Sequence, residues 1–181
     1  MPPPLRKLVL LAHIITSVAW PGVVAAFLAL AVIGLNSTNA QIIRSSYLVM
    51  LPITWYIIVP LAFASLLTGI LLSLGTKWGL LRYYWILAKL LINSLSIPIL
   101  LLHIQVIRIV AEAAVNTTLS PADLHDQRVQ LVTIAILALL ALLTAITLSV
   151  YKPRGLTQYG WRKQPDSKEP TKSSLSPPDW P

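Results

Sequence analysis

The stretch VQLVTIAILALLALLTAITLSVY, residues 129–151, decides how the rest of the chain is read. It contains no charged side chain, and about twenty apolar residues in a helix are enough to cross the hydrocarbon of a bilayer. The residues ahead of it, Ser120-Pro121-Ala122-Asp123, read as a helix N-cap, a proline in the first turn and an acid in the first turn. The helix is therefore expected to start before its apolar run and to project about two turns beyond the membrane.

Three further runs of the same kind lie upstream. The first, residues 8–35, follows Arg6 and Lys7. It is too long for the apolar region of a signal peptide, about 7–15 residues, and is expected to remain as an anchor. Trp20-Pro21-Gly22 interrupts it, and a kink is expected there because proline removes a helix hydrogen bond. The second run, residues 47–75, contains Pro52 and Pro60, which membrane helices tolerate. The third, residues 82–107 with a helical extension toward Val115, contains Lys89, Asn93, Ser96 and His103. Its Leu and Ile side chains contribute about −0.3 to −0.6 kcal/mol each on the insertion scale, which outweighs the roughly +3 kcal/mol of one central lysine. The expected fold class is all-α, a bundle of four transmembrane helices within residues 1–151. The basic, proline-rich tail over residues 152–181 is too polar to build a core and is expected to be disordered.

Composition agrees with lipid as the solvent. The chain is 56% hydrophobic and 11% charged, whereas a soluble domain carries about 25% charged residues. A soluble fold of this size would leave too much apolar surface in water. The net charge of +8 is concentrated beside the apolar runs and in the tail. That placement reads as an orientation signal and as attraction to anionic lipid, and nucleic acid is not an expected partner. Cysteine is absent, which removes disulfides, thiolate metal sites and cysteine nucleophiles.

Counting Lys and Arg on either side of the helices places both termini in the cytoplasm. Arg6, Lys7, Lys77, Arg82 and the tail fall on one side, against Arg44, Arg108 and Arg128 on the other. The sequons Asn36-Ser37-Thr38 and Asn116-Thr117-Thr118 fall on the outer side.

Polar residues inside a bilayer usually face the bundle interior. In the third helix Arg82, Lys89, Asn93, Ser96 and His103 fall within a stripe of about 60°. The first helix aligns His13, Thr16, Ser17 and Trp20, the second Thr54, Ser65 and Thr68, and the fourth Asp126, Thr133, Thr144 and Thr147. Each helix is thus expected to turn one polar seam inward. Depth selects His13, Ser17, Thr68, Lys89, Asn93 and Thr144 as residues able to meet in the cytoplasmic half, roughly 10 Å below the membrane surface. Two readings stand. The cluster is a cationic pocket for an anionic headgroup, a quinone carbonyl or another acceptor. Otherwise Lys89 snorkels to the interface while the hydroxyls and the amide bridge helices.

Haem needs two axial ligands at one depth. His13 lies near the inner face, so His103 with His125 is the remaining pair. The same outer end gathers His103, Arg108, Glu112, Asp123, His125 and Asp126, with the histidines and carboxylates as weak metal candidates, or the group as a solvated cap held by pairs such as Arg108 with Glu112. No phosphate loop, zinc-protease signature or nucleophile elbow is present in the sequence, and no intramembrane Asp or Glu suggests proton-coupled transport. Catalysis is therefore not expected. The expected role is binding of a lipid or a membrane partner, with a second copy of the chain included. A haem- or quinone-linked redox protein and a transport or channel subunit are the alternatives.

Four stretches carry a resemblance: HIITSVAWPGVVAAFLALAVIGL from His13, WGLLRYYWILAKLLIN from Trp78, LLLHIQVI from Leu100 and VYKPRGLTQYGWRKQ from Val150. Together they resemble a group of bacterial predicted integral membrane proteins with a domain of unknown function. The resemblance covers nearly the whole chain. It implies a bacterial inner membrane and four helices, and it brings no assigned catalytic residue.

Overall fold

The computed structural model of the chain describes residues 2–75, 83–116, 124–151, 155 and 157. Among these residues every regular element is a helix, and four helices are long and apolar enough to cross a membrane. They are α1 (Pro3–Asn36), α2 (Ala40–Gly75), α3 (Tyr84–Asn116) and α4 (His125–Tyr151). All four apolar runs read from the sequence become helices.

The helices outrun the apolar stretches at several ends, for local reasons. Pro3 sits in the first turn of α1, where its missing N–H leaves no helical bond unmade. Asn39 caps α2 well ahead of Tyr47, its side-chain oxygen accepting from the N–H of Gln41 at 2.9 Å and of Ile42 at 3.4 Å. α1 continues through the buried Pro21. The expected cap of α4 at Ser120–Asp123 lies outside the described residues.

α2 holds a five-residue π turn, Thr54–Ile58, between its two prolines. The ring of Pro60 crowds the carbonyl four residues back, and its nitrogen offers no hydrogen. A wider turn relieves the crowding. The N–H of Val59 accordingly reaches the carbonyl of Thr54.

Consecutive helices pack against each other, α1 on α2, α2 on α3 and α3 on α4, and α4 returns to close the ring on α1. The bundle thus has a loop end, which carries the α1–α2 and α3–α4 connections, and a terminal end. Trp20, Val24, Phe27, Ala31 and Gly34 are the buried face of α1, at the three- and four-residue steps of a single helix stripe. The outside is also apolar. Leu11, Leu67, Leu102 and Leu137 are all exposed, a surface that water does not accommodate.

Of the tail over residues 152–181, expected to be disordered, only Gly155 and Thr157 lie within the described residues. The carbonyl of Gly155 accepts the N–H of Tyr84 at 3.3 Å, and Thr157 is buried. First-turn N–H groups of a helix lack internal partners, so the opening of α3 offers Gly155 a hydrogen-bond site that composition alone does not reveal.

Candidate functional site

At the terminal end, α1 and α2 meet through a polar cluster. Thr68 Oγ1 donates its single hydrogen to the carbonyl of Ala64 at 2.6 Å. It therefore accepts at its 3.0 Å contact with His13, whose Nδ1 carries the proton. Ser17 and Ser65 hydroxyls pair at 3.1 Å, with Ser17 also 3.4 Å from His13 Nε2. The imidazole lies over Gly69, where a Cβ would stand 3.1 Å from Cε1. Lys89 is half-buried on α3, and Asn93 is half-buried one turn along. Arg82 lies outside the described residues. Of the six residues expected to converge, the structure joins His13, Ser17 and Thr68 directly, with Lys89 and Asn93 half-buried on α3.

Thr144 does not join them, and here the expectation is corrected. Thr133, Thr144 and Thr147 are exposed on the outside of α4, each hydroxyl returned to the carbonyl four residues back at 2.8–3.0 Å. A threonine satisfied by its own helix has no need of a neighbour and tolerates an apolar exterior. The seam rule thus holds for α1 and α2, where Trp20, Thr54 and Ser65 are buried, and fails for α4. Thr144→Val is expected to change stability by less than about 0.5 kcal/mol in unfolding titrations, the range of surface substitutions.

A second feature lies nearer the middle of the bundle. A cavity of about 400 Å³ is bounded by all four helices and lined almost wholly by apolar side chains. Ile99 of α3 and Leu137 of α4 line it and are also exposed, so it opens outward between these two helices. Its few polar groups are Trp20, Thr54, Ser96 and His103. Thr54 and Ser96 donate to the carbonyls of Met50 and Ile92 at 2.8 Å. His103 Nδ1 donates to the carbonyl of Ile99 at 2.7 Å, which leaves Nε2 as an acceptor in the neutral ring. Trp20 is 3% exposed, and its indole N–H has no acceptor among the described residues. A buried indole N–H usually has one.

His125 does not line this cavity. It is exposed at the first residue of α4, whereas His103 lies about 20 Å before the end of α3, at 1.5 Å per residue. The structure does not bring the two together as an axial pair. Among the described residues, no three His, Asp or Glu side chains gather as a ligand set. Arg108 and Glu112 approach to 4.0 Å, both exposed, a contact that contributes little.

Sequence reading missed the cluster at the loop end. Arg128, in the first turn of α4, is fully buried. Its Nε donates to Tyr47 Oη at 3.0 Å, and its guanidinium reaches the carbonyls of Gly34 and Leu35. Its Cζ lies 5.3 Å from the Tyr47 ring centroid, within cation–π range. The last carbonyls of a helix are unpartnered and carry its negative dipole end. Arg128 caps α1 from a neighbouring antiparallel helix. Arg44 of α2 does the same for α3, reaching the carbonyl of Val115 at 3.5 Å. The available signal was an arginine directly before a charge-free run, but nothing in the sequence names its partners.

These features define an antiparallel ring of four apolar helices with a polar clasp near each end and an apolar cavity between them. The chain matches no family model, no curated protein and no solved structure.

Proposed function

We propose that the chain is a multi-pass protein of a bacterial inner membrane, with both termini in the cytoplasm, that binds a lipid-soluble molecule without transforming it. The observation that carries this reading is the cavity between α3 and α4, whose walls are apolar and whose mouth faces outward. Its size falls in the ordinary range of ligand sites, about 300–1,000 Å³. The Trp20 N–H calls for an acceptor oxygen on the ligand. Four helices of sufficient length and apolar exteriors support the membrane placement, and the lysine and arginine distribution supports the orientation. The resemblance to bacterial membrane proteins is consistent with the membrane placement.

An isoprenoid quinone is a second reading, favoured by the depth at which Trp20 and His103 share one cavity. A quinone carbonyl would accept from the indole, while its prenyl chain would leave between α3 and α4.

The test is extraction of bound molecules from protein purified in mild detergent, followed by mass spectrometry. Wild type is expected to retain a stoichiometric lipid or quinone. Ala138→Phe, which fills the cavity, is expected to lose it at unchanged melting temperature. Equal retention by both proteins would count against the cavity, and so would a wild type that carries nothing. Absorption spectra before and after dithionite reduction separate the classes: a shifting Soret band would replace the lipid reading with haem.

A further inference from the structure

The outer face of α2 places a phenol where none is comfortable. Tyr56 is 81% exposed, and the adjacent Trp55 is 49% exposed. In a membrane-spanning chain, the reading on which this inference rests, Tyr and Trp belong at the interfaces. Tyr56 instead lies about 18 Å along the helix from Arg44, near the middle of a hydrocarbon layer about 30 Å thick. Its hydroxyl has no hydrogen-bond partner among the described residues.

The same face also lacks donors. Pro52 and Pro60 are both exposed. Neither can supply an N–H, so the α-helical donor is missing for the carbonyl of Leu48 and again for that of Tyr56. A carbonyl released by proline lies on the proline's own side of the helix. Val49, Pro52, Tyr56, Pro60 and Phe63 form one exposed stripe, with the π turn at its centre. Unpaired polar groups in hydrocarbon cost several kcal/mol each, and in membrane helices neighbouring helices satisfy those that proline frees. Among the described residues, no other helix covers the stripe.

We propose that this stripe is an interface with a second copy of the chain, a twofold dimer in which α2 packs along α2 of its partner. The face is self-complementary, because it offers a hydroxyl donor and carbonyls without α-helical donors. A copy inserted in the same orientation presents the same groups at the same depth, and twofold symmetry makes each donation mutual. No other partner is guaranteed to match in depth.

The chain has no cysteine, so single cysteines report the interface cleanly. In native membranes treated with a short bis-maleimide, Val49→Cys and Phe63→Cys are expected to give a product of twice the chain mass. Leu140→Cys, exposed on α4, is expected to stay monomeric. Tyr56→Phe keeps the ring and removes the hydroxyl. It is expected to weaken the dimer roughly sevenfold in vesicles, measured by single-molecule photobleaching, because two symmetry-related membrane hydrogen bonds are lost. Monomers at every protein-to-lipid ratio would overturn the proposal. So would equal crosslinking through Leu140→Cys, or a product whose mass shows a different protein on the stripe. None of these readouts depends on a ligand in the cavity, so failure of the dimer and failure of the ligand reading are distinguishable.

Discussion

Arg128→Ala is expected to lower the stability of the folded bundle by about 3 kcal/mol, the largest single effect of any side chain at the loop end. The guanidinium is fully buried, and its acceptors include the Tyr47 hydroxyl and the carbonyls of Gly34 and Leu35. Hydrogen bonds from a charged donor contribute about 1.5–3 kcal/mol each, and leaving buried acceptors unpaired adds a desolvation penalty. Not all of this is lost, because burying the cation was itself unfavourable. Arg128→Lys keeps the charge but has no planar fork to span a phenol and two carbonyls, so it is expected to recover less than half. Unfolding by SDS titration in mixed micelles measures both variants. A change below about 1 kcal/mol for Arg128→Ala would show that the clasp is not coupled to folding.

Gly34→Ala is the second large expectation, at about 2 kcal/mol destabilising. A Cβ at Gly34 would lie 2.8 Å from Tyr47 Cζ and 2.9 Å from Cε2, well inside contact distance. Two effects oppose each other here. Alanine is the better helix former by up to about 1 kcal/mol, while overpacking a rigid ring costs about 1–3 kcal/mol. Steric overlap wins, since Tyr47 is buried and held by Arg128 and has no free space to retreat into. The penalty is expected to shrink in a Tyr47→Leu background, so the two substitutions should be strongly non-additive. An additive result in the same SDS titration would mean that Gly34 is needed for something other than the approach of Tyr47.

Both residues belong to a cluster that sequence reading passed over, whereas the cluster at the terminal end was partly read. His13, Ser17 and Thr68 were selected by helical face and depth, and they do meet. The rule behind that choice was that polar groups turn inward. It serves for His13, whose ring nitrogens find the hydroxyls of Thr68 and Ser17. It fails for Thr144, whose hydroxyl finds the carbonyl of Leu140 at 2.8 Å without leaving its helix. Arg128 escaped notice for the opposite reason. It sits beside the apolar run and was counted as a flanking charge, although its length lets it bend into the bundle.

Hydropathy by itself determined the helix number, the order of the elements and the apolar exterior. Those follow from segment length and from the requirement that backbone groups be satisfied within each helix. Only the tertiary structure decided which arginine caps which helix, which threonines face outward and where the cavity lies. Each of these depends on the rotation of one helix against its neighbour. Rotation is set by interhelical contacts such as Gly34 against Tyr47, between residues that nothing in the local sequence connects.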